Sequence, residues 1–258
     1  MKLSILKLIR INVFTLIFLL LVLFCGFIKD GLIIFLIVFL HELGHIFFLK
    51  VFNYKIISVT LYPFGGITKS EHLINSNSYK DLLIYFGGIL FQILIYIFLI
   101  IINKFGLINM YDMSLFLKYN TAIIIFNILP IIPLDGYLII NHLLNYYFNF
   151  KLSNKISYLI SFIFIVLFIY FNYLLNINNY FIIGLLITKM IEHYKNFKFV
   201  YQKFLLERYL YNIPYKKIDK ICNLNLDVLK KTHKSLFFLD NSWVDEKVIL
   251  AKKFDKYQ

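Results

Sequence analysis

Two histidines and a glutamate stand as His41-Glu42-Leu43-Gly44-His45, the HExxH pattern, inside the run FLIVFLHELGHIFFLK (35–50), which is otherwise nearly all apolar. On a helix, positions i and i+4 share a face, so both imidazoles can offer a nitrogen to one tetrahedral zinc ion. Glu42, about 100° around the helix, can reach water beside it. The chemistry that this set suits is metal-assisted hydrolysis. Ionisable groups at bilayer depth are costly, so their presence in a lipid-like run points to function by default.

The elements that must position these groups are membrane elements. A soluble domain is about half apolar and a quarter charged, whereas these 258 residues are 60% hydrophobic, 19% aromatic and 16% charged, with a mean hydropathy of +0.76. Cys25 and Cys222 are the only cysteines, which excludes a disulfide framework and a CxxC metal site. The net charge is +13, yet 15 of the 27 basic residues lie at or after Lys189, mixed with eight acids. A basic segment beside anionic lipid accounts for that balance, and no nucleic-acid partner is expected.

A spanning helix needs roughly 20 apolar residues. Six segments qualify or come close: 5–27, 31–52, 82–102, 115–134, 156–175 and the shorter 178–191. Lys2, Lys7 and Arg10 before the first resemble a signal peptide, but no small-x-small cleavage site follows, so that span is expected to stay attached. Connections of one parity hold nine bases (Lys2, Lys7, Arg10, Lys50, Lys55, Lys69, Lys80, Lys151, Lys155) and those of the other hold two (Lys29, Lys104). The expected orientation therefore puts both termini in the cytoplasm. The fold class expected is an all-α polytopic membrane protein of about six transmembrane helices, with a membrane-embedded domain over 1–194 and a small cytoplasmic C-terminal tail over 195–258.

Two connections are more than linkers. KIISVTLYPFGGITK (55–69) alternates around Ile57, Val59 and Leu61 and turns at Pro63 and Gly65-Gly66, which predicts a short membrane-associated β-hairpin. GYLIINHLLNYYFNF (136–150) reads as a helix lying at or dipping into the interface. The tail has alternating helical and strand-like stretches, close to the lower size limit for independent folding.

A census of acids narrows the chemistry. Eight of the 14 acidic residues lie in the C-terminal region and Asp30, Glu71, Asp81 and Asp112 in connections; only Glu42 and Asp135 abut long apolar runs. Asp135 closes FNILPIIPLDG (126–136), at the cytoplasmic end of the fourth span in the expected orientation, and HELGH falls in the cytoplasmic half of the second. Zinc hydrolytic sites take three protein ligands and keep one position open, a requirement that two histidines and a carboxylate can meet.

HELGH together with Asn127-x-x-Pro130-x-x-Pro133-Leu134-Asp135-Gly136 resembles the site-2 protease family of intramembrane zinc metalloproteases, over most of residues 31–140. The resemblance implies His41, His45 and Asp135 as ligands of one Zn²⁺ ion, and Glu42 as the catalytic base. It implies a membrane-tethered protein substrate, with Asn127, Pro130, Gly65 and Gly66 as substrate-binding candidates, and an inhibitory or regulatory membrane protein as a further partner besides the bilayer. Gly87-Gly88 is similar to a family GGP segment, with Ile89 in place of proline. Compact size and an early HELGH look most like the sporulation-type branch, whose members cleave pro-sigma factors.

Other residues carry two readings each. Gln92 suits a helix–helix hydrogen bond or a substrate contact, and Asn127 either satisfies backbone freed by the prolines or orients substrate or ligand. Gly87 and Gly88 suit close packing. His142, seven residues past Asp135, would share its face of a continuous helix, while His72, His193 and His233 are expected to be solvated. The competing function is a polytopic ion or metal transporter that uses the same His, Glu and Asp residues. It calls for polar groups along several spans, and the interiors of the fifth and sixth offer little beyond Ser157, Ser161, Asn172 and Thr188.

Overall fold

A computed structural model describes residues 9–62, 65–71, 74–75, 78–106, 108–174, 180–215, 217–239 and 241–255. The chain divides into two units, residues 1–72 with 82–128, and residues 73–81 with 129–258. The first is built on helices packed around one sheet. Strand β1 (Ile9–Ile11) leads into α1 (Val13–Phe24) and α2 (Ile28–Val51); strands β2 (Ile56–Tyr62) and β3 (Gly65–Ser70) follow, then α3 (Ser78–Lys104) and α4 (Met110–Ile128). Asp30 in the first turn of α2 and Lys50 in its last complement the helix dipole.

The hairpin expected from the alternation is present as the antiparallel pair β2 and β3, in register Leu61 to Gly66 and Val59 to Thr68. Pro63 at its turn lies outside the described residues. The sheet has a third strand that the sequence pattern does not announce, β1, parallel to β2 with Ile9 opposite Val59. Val59 is buried against Ile46 of α2, with Phe35, Phe39 and Leu43 around them. Val59, with Ile56 beside it, thus holds the hairpin on the helix that carries HELGH, whereas Ile57 of the expected apolar row is exposed.

The second unit holds α5 (Asp135–Tyr147), α6 (Phe150–Leu174) and α7 (Tyr180–Leu210), followed by β4 (Lys217–Ile221), β5 (His233–Leu239), β6 (Ser242–Asp245) and α8 (Glu246–Phe254). Strand β4 runs parallel to β5 and β6 antiparallel to it. Phe150, Phe204, Leu205, Leu229, Phe237 and Leu250 form the core here, with the Phe150 and Phe204 rings stacked at 4.1 Å. Helix α7 is continuous through residues 194 and 195 and supplies Phe204 and Leu205 to that core.

Among the described residues three helices are long and apolar enough to cross a membrane, in Ile28–Val51, Tyr79–Lys104 and Phe150–Tyr173, where the sequence predicts six spans. Three expectations change. In the described part of the first segment, Ile9–Ile11 is a strand and Val13–Phe24 a 12-residue helix, about 18 Å long against roughly 30 Å of hydrocarbon. Helix α4 carries Asp112, Lys118 and Asn120 and stops at Ile128, before Pro130 and Pro133, because a proline ring clashes with helical backbone behind it. From Tyr180 onward the apolar stretch 178–191 is the front of α7, a helix of 31 residues that carries most of its charges in its second half. The segment 136–150 is the helix expected of it, α5.

Candidate metal centre

Helix α2 places His41, Glu42 and His45 one turn apart, and their ligand atoms all lie within 4.8 Å of one another. His41 and Glu42 are buried and His45 partly so. The His41 and His45 Nε2 atoms face each other at 3.1 Å. Two nitrogens each about 2.0–2.1 Å from one zinc ion, at a tetrahedral angle, stand about 3.3–3.4 Å apart, so the pair fits one ion. On its other side His45 Nδ1 is 2.7 Å from the Ile84 carbonyl oxygen of α3. A carbonyl only accepts, so Nδ1 carries the ring hydrogen and Nε2 presents the lone pair.

Glycines set how closely the neighbouring elements approach. A Cβ on Gly44 would sit 2.2 Å from the Gly87 carbonyl oxygen, so α2 and α3 touch backbone to backbone there. A Cβ on Gly88 would lie 2.3 Å from the His41 ring, and one on Gly66 of β3 would lie 2.4 Å from the Glu42 carboxyl carbon. Gly87 and Gly88 are therefore close-packing positions, and Gly88 leaves the room that the His41 imidazole fills. Thr68, two residues after Gly66 and so on the same face of the strand, donates to Glu42 Oε2 at 3.4 Å.

The other residues singled out in the sequence fall as follows. Gly65 opens β3 opposite Tyr62. Asn127 lies partly buried in the last turn of α4, and Pro130 is buried in the connection to α5. Asp135 is the first residue of α5, just after the cis Ile132–Pro133 bond. The Ile132 N–H donates to Ser161 Oγ of α6 at 2.9 Å, a partner for the proline-disrupted backbone in the role for which Asn127 is one candidate by sequence.

His142 is buried in a separate cluster, 3.6 Å from Asp81, whose carboxylate also takes Lys231 at 2.7 Å. His193 is partly buried rather than fully solvated. It packs against Tyr137, with the phenol oxygen 2.9 Å from its Nε2, because the polar segment that holds it continues as the helix α7. His233 pairs with Asp219 at 2.8 Å, and His72 lies outside the described residues. Asn120 of α4 is a functional candidate that sequence reasoning misses. It is buried against Gln92, and its only signal is an amide 28 positions from another amide in neighbouring apolar segments.

Comparison with known proteins adds to this geometry. Residues 31–108, which hold α2, the hairpin and α3, match the model of Peptidase family M50. The chain is similar to stage IV sporulation protein FB of Bacillus subtilis, 29% identical over 188 residues covering 71% of this chain and 65% of that protein. It is also similar to a zinc metalloprotease of Methanocaldococcus jannaschii, 32% identical over 119 residues covering 44% of this chain and 33% of that one. The chain thus spans less than two thirds of the length of either relative. Its fold is like that of a solved site-2 protease from Methanocaldococcus jannaschii, with a TM-score of 0.53 at 24% identity, covering 80% of this chain and 93% of that one.

Proposed function

From the premise that the chain belongs to the site-2 protease family, Peptidase family M50, we propose that it is an intramembrane zinc endopeptidase that hydrolyses a peptide bond in or near a transmembrane segment of a membrane-tethered protein. The observation that carries this reading is the His41, Glu42 and His45 cluster, set in an apolar helix with its two Nε2 atoms facing one point. Asp135 is assigned as third ligand of the single Zn²⁺ ion on the strength of its NxxPxxPLDG motif, and Asp135→Ala is expected to lower the zinc content of the purified protein. The resemblance to a sporulation protein makes a pro-sigma factor or similar regulator a reasonable substrate class to test first.

Zinc held there supplies Lewis acidity, polarising a carbonyl and making water nucleophilic near neutral pH. This chain's own groups do the rest. Glu42 accepts the water proton as the oxygen adds to the carbonyl carbon, and delivers it to the departing nitrogen as the C–N bond breaks. Thr68 keeps the carboxylate turned towards β3. A helical substrate hides its carbonyls in hydrogen bonds and must unwind first; the β3 strand, with Gly65 and Gly66 at its start, offers backbone groups for pairing with the opened segment. Asn127 and Pro130 are assigned to the same substrate path, and both termini to the cytoplasmic side, where water and a regulatory membrane protein would reach the site.

The transporter reading has less support. Polar groups of α6 are taken up by the protein itself: Ser157 donates to the Ser153 carbonyl at 2.8 Å, Asn154 donates to the Phe150 carbonyl at 2.8 Å and accepts from Asn141, and Ser161 accepts from the Ile132 N–H. Glu42→Gln separates the two functions. It is expected to bind zinc and lose cleavage of a co-expressed tethered substrate, and retained cleavage would remove Glu42 from the mechanism.

A further inference from the structure

His41 has on its outer side an arrangement that the family motif does not include. Its Nδ1 lies 2.9 Å from Gln92 Oε1 of α3; Gln92 Nε2 donates to Asn120 Oδ1 of α4 at 3.2 Å; and Asn120 Nδ2 donates to the Gln92 main-chain carbonyl at 3.5 Å. All three side chains are buried, at 4%, 1% and 2% exposure. We propose that Gln92 and Asn120 are positioning residues that hold His41 in its Nδ1–H tautomer, with the Nε2 lone pair presented to the metal. The proposal rests on the zinc-hydrolase reading above.

The direction of every bond in the chain follows from its last acceptor. The Gln92 main-chain carbonyl has no hydrogen, so it must meet the NH₂ end of Asn120. That leaves the Asn120 oxygen to accept from the Gln92 NH₂, which turns the Gln92 oxygen to His41 and requires a hydrogen on Nδ1. Reversing both amides would set the Asn120 oxygen against that carbonyl and the Gln92 NH₂ against His41. In a buried site two facing acceptors carry a desolvation cost with no bond in return. His45 reaches the same tautomer by a shorter route, directly from the Ile84 carbonyl.

Both imidazoles therefore take their orientation from α3, one from main chain and one through an amide that α4 in turn holds. Outer partners of this kind fix ring orientation and raise ligand basicity, and losing one typically costs 10–100-fold in metal affinity. At the Cε1 side of the ring there is no slack either, since a Cβ on Gly88 would lie 2.3 Å from that atom. Of the two histidines, His41 is the one whose acceptor can be removed by mutation.

The test is zinc affinity of the full-length protein in detergent, read by competition with a chromophoric chelator. Gln92→Leu, close in size but without an acceptor, is expected to weaken zinc roughly 10–100-fold. Gln92→Glu, which still accepts from Nδ1 although its second oxygen then faces Asn120 Oδ1, should recover part of that loss, and Asn120→Ala should lose less than Gln92→Leu, in the same direction. Unchanged affinity in Gln92→Leu would overturn the proposal, and so would a Gln92→Glu variant that falls as far as Gln92→Leu. If Gln92→Leu does not fold, unchanged affinity in Asn120→Ala overturns it equally. Zinc binding that survives His41→Ala would refute the metallohydrolase reading and this assignment with it, whereas binding that depends on His41 but ignores Gln92 refutes only the relay.

Discussion

Two buried polar clusters tie helices to their neighbours in this protein. In the first unit the HELGH histidines lean on Ile84 and Gln92, and Gln92 in turn on Asn120. In the second, Arg208 at the end of α7 meets Glu246 at the start of α8 through two bonds, 2.6 and 3.2 Å, and donates to the carbonyls of Lys230 and His233, while the Ser235 N–H also donates to the Glu246 carboxylate. Burial does not distinguish them, since Arg208 and Glu246 are 1% and 2% exposed. Direction does. Around Arg208 each donor is aimed at a protein acceptor and the charges cancel. Around His41 the protein takes up the hydrogen-bearing side of each ring and aims both lone pairs at one point. The first pattern is that of a joint, and the second is the one that the proposed ligand set requires.

Arg208→Ala should be the most damaging change to stability, about 3–5 kcal/mol, because Glu246 is left charged and buried without its partner. Thermal unfolding of the second unit would report it, while zinc affinity should not move; a variant that lost zinc with its fold intact would break the distinction. Replacing both Arg208 and Glu246 by leucine should recover only part of the loss, since two carbonyls and one N–H still lack partners.

Next in size, Gly88→Ala should cut cleavage about 100-fold, as the new methyl pushes the His41 ring from its place. The measurement is turnover beside a zinc titration. Gly44→Ala should cost about 1–3 kcal/mol, because the obstacle is the Gly87 main chain and no rotamer can yield; a neutral result would mean that the helices part easily.

The smallest effect is a pH dependence in the second unit. The Lys151 ammonium, bonded to Asp227 at 2.5 Å, holds that carboxyl below its usual value. A depressed folded-state pKa adds stability above the unfolded value near 3.8 and loses it as pH falls through the lower, folded one. The pair is exposed, so Lys151→Ala should cost about 0.2–1 kcal/mol at neutral pH and nothing once Asp227 is protonated. Denaturant midpoints at the two pH values would show it.

How much of this can be read in the sequence depends on the range of the signal. His41, Glu42 and His45 are legible because one helical turn brings them together, whatever the rest of the chain does. The β2 and β3 hairpin is legible from its alternation and glycines. Ile9–Ile11 is not, because three residues of strand inside an apolar run leave no periodic trace, and their partners in β2 lie far along the chain, at Val59 to Leu61. Helix α7 looks shorter than it is because hydropathy falls midway while the backbone continues. Gln92 stands out as a lone amide among apolar residues, but its direction depends on Asn120, and no short sequence window contains both.

The meeting of Gly44 with Gly87 has one more consequence. Where two helices are separated by side chains, those groups can change rotamer and the gap can breathe; where peptide rests on peptide, the gap has one value. Gly44 lies between the two histidines, and Gly87 lies between Ile84 and Gln92, the residues on which those histidines lean. The pair therefore acts as a fixed spacer, and strain arriving from the bilayer would reach the site as a pivot about that point sooner than as a change in separation.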